Sequence, residues 1–167
     1  MNTELPMSQL LEKYPTEIER ILSKYPVDRK RSAVLPLLYI AQQEYGYCTP
    51  DAIREVAEIA EVEPTEVDAV VGFYTLFFDH PVGKHVVQVC NDLPCALRGA
   101  EKMLEHLEHK LGCKAGQTTA DGAITLKEAE CLGGCDHAPV MLVDGAEHLQ
   151  DLTIEKLDEI VDRLRNK

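Results

Sequence analysis

Apolar positions recur at helical spacing through the first 80 residues and then change to strand-like runs separated by helices. Ser8 can cap a short first turn that Pro15 interrupts. Thr16-x-x-Glu19 has the form of a capping box, and Ile18, Ile21, Leu22 and Tyr25 then share one face until Pro26. Asp28 can cap the next helix, with Ala33, Val34, Leu37, Leu38, Ala41 and Tyr45 as its apolar stripe. Pro36 lies inside that stripe and predicts a kink; Gly46 stands at a plausible C′ position. Thr49-Pro50 reads as an N-cap followed by proline at N1, with Ile53, Val56, Ala57 and Ala60 facing inward. Pro64 opens a last helix through Val67, Val70 and Val71. Helices with these stripes make a small bundle over residues 1–80.

The stretch Asp79-His80-Pro81-Val82-Gly83 holds proline and glycine and marks a boundary. Beyond it, over residues 81–167, the pattern reads strand, helix, strand, strand, strand, helix. Strands are expected over about 84–89, 124–130, 140–143 and 148–149, and helices over about 99–111 and 153–165. Asp144-Gly145 is a turn signal between the last two strands, Thr153 is an N-cap candidate, and 114–122 is loop. The fold class is α+β, a helical bundle followed by an α/β domain.

Four cysteines change this picture. Cys90 and Cys95 close one pair, and Cys131 and Cys135 another, each just after a predicted strand. Two strands ending in thiol-bearing loops can bring four sulfurs together, and four thiolates mean a metal. Structural zinc usually closes a pair with a two-residue gap, and redox dithiols prefer the same gap. Here the gaps are four and three residues, so each pair spans a wider object than one ion. In a two-iron cluster each pair can ligate one metal, although this is not the plant-type spacing. Gly99, Gly133 and Gly134 let the backbone approach closely. Zinc, a redox dithiol and plain buried thiols stay open on spacing alone. The N-terminus lacks the basic and apolar regions of a secretory signal, so a reducing context, in which close cysteine pairs bind metal or react, is expected.

Charge narrows the partners. The 167 residues are 45% hydrophobic and carry a formal net charge of −12. Residues 1–80 hold 7 basic and 14 acidic side chains, and residues 81–167 hold 10 and 15, so acid is spread over both halves. Such a surface repels phosphate backbones and acidic membranes, which argues against nucleic acid and membrane partners. The most apolar run, 33–41, is too short to span a bilayer and contains Pro36. No internal repeat and no Gly-rich phosphate loop is present.

The residues around the thiols carry a resemblance. Val89-Cys90-x-x-x-Pro94-Cys95-x-x-Arg98-Gly99-Ala100 and Glu130-Cys131-Leu132-Gly133-x-Cys135-x-x-Ala138-Pro139-Val140 resemble the thioredoxin-like [2Fe–2S] ferredoxins. Within them, the two-iron subunits, usually designated E in bacteria, of the NADH module of respiratory NADH:quinone oxidoreductase (complex I) are more similar. That likeness extends through Gln43-x-x-Gly46-Tyr47, Phe73-Tyr74-Thr75-Leu76-Phe77 and Val82-Gly83-Lys84-His85, and covers the chain from about Asp28 onward. It implies a thioredoxin-like fold for 81–167 and a [2Fe–2S] cluster on Cys90, Cys95, Cys131 and Cys135. It also implies an electron-transfer role beside a partner subunit that carries FMN and the NADH site. The setting it implies is the cytoplasmic peripheral arm of a membrane-bound complex. The similar subunits of NAD-linked hydrogenases and formate dehydrogenases are the alternative; a zinc-stabilised interaction module is the alternative of another class. Where relatives have Ser or Thr before Phe-Tyr, this chain has Gly72, expected to loosen the helix end.

Other chemistry-bearing residues read as structural. Cys48 and Cys113 stand apart from the pairs and are expected to pack as small hydrophobes. His106 and His109, with Cys113, have helical spacing but lie opposite the Met103, Leu104, Leu107 and Leu111 stripe, so they are expected to face water. His137 follows Cys135 as in a Rieske half-motif, but Arg98 rather than His follows Cys95, so the second histidine is missing. No site for NADH or flavin is expected on the chain itself. Phe73, Tyr74, Phe77 and Phe78 are candidates either for a docking surface or for core.

Overall fold

Helical spacing in the first half becomes helices in the computed structural model, which describes residues 8–166. The chain divides into two compact units, Met1–Pro81 and Val82–Lys167. In the first, Ser8 caps α1 (Gln9–Lys13) by accepting from Leu11 N–H, and its hydroxyl donates to Glu55 Oε2 at 2.7 Å. α1 stops at Lys13, just before Pro15 as expected, and Pro15 begins α2 (Pro15–Leu22), where its missing N–H has no partner to lose. The expected Thr16 capping box is therefore absent, because the N-cap is Tyr14. A capping box forms instead between Glu63 and Glu66 at the start of α5 (Pro64–Phe73). Residues Val27–Ala33 make a 3₁₀ segment, so Asp28 caps no α-helix. α3 (Val34–Tyr45) starts later than expected, and Pro36 falls in its first turn, where no intrahelical donor is needed and no kink is imposed. Gly46 ends α3 at φ +80°, and Thr49 caps α4 (Pro50–Ala60) through Ala52 N–H.

These helices bury one core, including Leu10, Ile18, Leu37, Leu38, Val56 and Val67, each at most 2% exposed. Full burial of such side chains is worth about 1.5–3 kcal/mol apiece. Glu55 ties three helices together: its carboxylate accepts from Ser8 Oγ, from Leu10 N–H at 2.9 Å and from Tyr45 Oη at 2.8 Å. Gln42 holds the segment after α5, donating to Leu76 O (3.0 Å) and accepting from Phe78 N–H (2.8 Å).

The second unit is a four-stranded mixed sheet with strand order β2-β1-β3-β4. β1 (His85–Cys90) runs parallel to β2 (Ile124–Ala129) and antiparallel to β3 (Met141–Val143), which pairs antiparallel with β4 (Glu147–Leu149). Val87 is in register with Leu126 and Val143, and Val89 with Met141, so one sheet face is continuous and apolar. Onto that core pack Met103, Leu107 and Leu111 of α7 (Ala100–Leu111) and Leu157, Ile160, Val161 and Leu164 of α8 (Ile154–Arg165). His106 is not simply a solvent-facing residue: its Nε2 bonds Asp158 Oδ1 at 2.8 Å, and Lys110 reaches both Asp158 and Asp162, joining α7 to α8. The sequence pattern missed a five-residue helix, α6 (Leu93–Leu97), and a 3₁₀ turn at Cys135–His137. Both lie at the cysteine pairs. The architecture is the expected mixed α+β.

Candidate metal centre

Cys90 is the last residue of β1, and the alternation of the strand turns it away from the face that Val87 and Val89 share with the helices. Its backbone N–H donates to Val140 O at 3.1 Å, and the next residue, Asn91, continues the ladder to Ala129 O. Asp92 then caps α6 by accepting from Leu93 N–H at 2.9 Å, with Pro94 in the first turn. This cap places Cys95 near Cys90, whose thiol donates to Glu130 O at 3.4 Å. Both are 1% exposed and pack with Ala100, Ala138 and Val140. Val140 also packs against the pair whose Cys90 amide its carbonyl takes.

Cys131 and Cys135 are exposed, at the two ends of the intervening loop and near enough for Cys131 to act on Cys135. Gly133 turns that loop at φ +74°, a conformation that favours glycine. Gly134 has an ordinary φ of −119° but no room: a Cβ there would lie 2.8 Å from both His148 Cε1 and Val140 Cγ1. The far side of the loop is fastened by His137, whose Nδ1 meets Asp151 Oδ2 at 2.9 Å and whose carbonyl accepts from Asp151 N–H at 2.8 Å. His137 is thus a structural residue.

The thiols form two pairs, one buried and one exposed, that feel each other's charge. Burial pushes the Cys95 thiol up to about 11, helped by the neighbouring Cys90 and by the nearby Cys135. Cys135 is raised first by desolvation, then by Cys131, Asp92 and Cys90. Both thiols are protonated at neutral pH, and a metal must displace those protons to bind. Among the described residues, no group of three or more His, Cys, Asp or Glu side chains is arranged to hold a single ion.

The model of the thioredoxin-like [2Fe–2S] ferredoxin family matches residues 18–165. The chain belongs to that family. Over 167 residues, 99% of each protein, this ferredoxin is 41% identical to the E subunit of the NADH-quinone oxidoreductase of Rickettsia bellii. It is 44% identical over 149 residues to a second such E subunit, from Rhizobium meliloti, covering 89% of this chain and 87% of that one. Its fold also matches a solved structure, the NAD+-reducing [NiFe]-hydrogenase in the air-oxidized state, with a TM-score of 0.68 and 22% identity. That match covers 78% of this chain but only 23% of the other.

The cofactor of the ferredoxin is a [2Fe–2S] cluster, which takes four cysteine thiolates, two to each iron. Two thiol pairs suit that chemistry. The other two thiols belong to or pack against hydrophobic cores. Cys48 is 1% exposed in the helical core, and burial pushes its thiol up to about 11. Cys113 is half-buried beside the core of the second unit. Among the described residues, no helix is long and apolar enough to cross a membrane.

Proposed function

We propose that this ferredoxin is the electron-transfer subunit of the NADH-oxidising module of an NADH:quinone oxidoreductase. In this reading Cys90 and Cys95 would hold one iron of the cluster, and Cys131 and Cys135 the other. When bound, the cluster passes single electrons to and from the FMN of a partner subunit that also binds NADH. The chain's own residues supply the ligands, bury one side of the site and leave the other open to a partner. Near-full-length similarity to E subunits of NADH-quinone oxidoreductases, in a chain with this two-and-two thiol arrangement, carries the reading. The equivalent role in an NAD-linked hydrogenase rests on likeness of fold alone.

Two consequences belong to the same reading. The oxidised cluster with four thiolates carries a net −2 and the reduced one −3, so Asp92 and Asp136 oppose reduction and favour a low potential. The exposed aromatics at the end of α5, Phe73 at 78% and Tyr74 at 36%, are a docking surface for the flavin subunit; Phe77, at 5%, is core instead. The chain has no NADH chemistry of its own, and it works in the cytoplasmic peripheral arm of a membrane-bound complex. The test is anaerobic mixing with NADH, with and without the flavin subunit, while cluster absorbance is followed. Bleaching only beside the flavin subunit is expected. Rapid stoichiometric bleaching without it would overturn the division of labour.

A further inference from the structure

The exposed thiol pair sits on a loop that its own residues barely hold. Cys131 to Cys135 contains two glycines and no regular structure before the 3₁₀ turn at Cys135. Besides the His137–Asp151 contacts at its far side, its middle is fastened from a different element. His148, on β4, places Nε2 2.8 Å from Leu132 O, in the middle of the loop. A carbonyl oxygen only accepts, so Nε2 carries the hydrogen. Gln150 Nε2 stands 3.1 Å from His148 Nδ1 and donates to its lone pair. The two contacts select one tautomer and one ring orientation. The loop is shaped to receive that ring, because the space a Gly134 Cβ would need is taken by His148 Cε1 and Val140 Cγ1, with Gln150 Nε2 at 3.3 Å. Gly134 is glycine for space, since its backbone is in a region any residue adopts.

We propose that His148 is a positioning residue for the exposed cysteine pair. Its N–H to Leu132 O, with Gln150 setting the tautomer and Gly134 giving the ring its seat, fixes the Cys131–Cys135 loop and thereby tunes the half of the cluster that this pair holds. Groups that orient metal ligands without touching the metal typically change metal affinity by about 10–100-fold when removed. The His148 N–H dipole also points its positive end at a loop whose cluster gains negative charge on reduction. Removing it therefore lowers the potential.

The inference rests on the functional reading above, and the experiment separates the two. Full-length chain is purified with its cluster as wild type, His148→Ala, His148→Gln, Gly134→Ala and the Gly134→Ala/His148→Ala double variant. Each is assayed for iron content, reduction potential, electron paramagnetic resonance of the reduced form, and bleaching rate in chelator. His148→Ala should bleach about 10-fold faster, with a lower potential and shifted g values. His148→Gln, whose amide can donate from nearly the same place, should return towards wild type. Gly134→Ala should resemble His148→Ala, and the double variant should fall short of the sum of the two, since both break one contact. If His148→Ala fails to assemble a cluster, His148→Gln decides: wild-type potential supports the role, and failure like alanine's overturns it. An intact cluster whose potential, spectrum and lifetime ignore position 148 would overturn the inference alone. A wild-type chain without two irons would overturn the reading beneath it.

Discussion

Two glycines should respond to the same substitution with opposite signs. Gly72 lies near the end of α5 with a helical backbone, and a Cβ there meets nothing within 4 Å. Its helix ends one residue later, at Phe73. Gly72→Ala removes only the entropic cost of glycine in a helix and should stabilise by about 0.5–1 kcal/mol. Gly83 precedes β1, and there a Cβ would lie 2.8 Å from Ile124 C and 2.9 Å from Thr125 N. These are backbone atoms of the parallel partner strand and cannot rotate aside. Gly83 N–H also donates to the buried Thr125 Oγ1 at 2.6 Å, and Lys84 and His85 amides bond Gly122 and Ala123 carbonyls just beyond. Forcing them apart should cost about 1–3 kcal/mol, the usual range for overpacking, plus part of that hydrogen bond. At about 2–4 °C per kcal/mol for a chain of this size, Gly72→Ala should melt roughly 1–4 °C higher. Gly83→Ala should melt roughly 2–12 °C lower. Circular dichroism melts of the full chain measure both, and cluster bleaching reports the second unit. Equal shifts, or a Gly83→Ala protein as stable as wild type, would refute the argument from space.

Further expectations follow from the same geometry. Cys48→Ala and Cys113→Ala should retain iron, whereas Cys131→Ala should lose the cluster or hold it weakly, as iron analysis will show. Asp92→Asn keeps an oxygen to cap α6 but removes a charge beside the site, so the cluster potential should rise in a redox titration; an unchanged or lower value would contradict the electrostatic account. Asp158 is held below the usual carboxylate range, chiefly by its hydrogen bond to His106 and then by Lys110. Its contribution is therefore present above its unfolded pKa and fades as pH falls through the lower folded value. Asp158→Asn should flatten the acid limb below about pH 4, read from stability against pH with His106, Lys110 and Asp162 intact. Phe73→Asp should weaken binding to the flavin subunit in a titration while leaving the cluster spectrum unchanged.

Much of this fold was legible because its signals are local. Gly46, Thr49-Pro50 and Thr153 end or begin helices through their own backbone preferences, and each does so where expected. Asp144 and Gly145 both take positive φ in the turn joining β3 and β4. Proline is easily misread when the helix register is uncertain: Pro36 lies in the first turn of α3, where the missing N–H costs nothing, rather than in the helix interior. Around the thiols, the cysteine types and spacing carry the chemistry, but not its asymmetry. That Cys90 and Cys95 are buried and Cys131 and Cys135 exposed depends on Ala138 and Val140, which only the tertiary fold brings alongside. His148 and Gln150 are silent in the sequence for the same reason. They are isolated polar residues at a short strand, and their role arises from β4 lying next to a loop that leaves β2. Periodicity alone places His106 in water, because it describes one helix and cannot show the Asp158 side chain arriving from another.

The central claim is that four paired thiols hold two irons and pass one electron. Anaerobic redox titration of the full-length chain, with iron and sulfide analysis and spin quantitation on the same sample, tests it most directly. The account predicts two irons and two sulfides per chain, a red-brown oxidised form, and one unpaired spin per chain after uptake of a single electron. A colourless protein with one zinc per chain and no spin on reduction would contradict it.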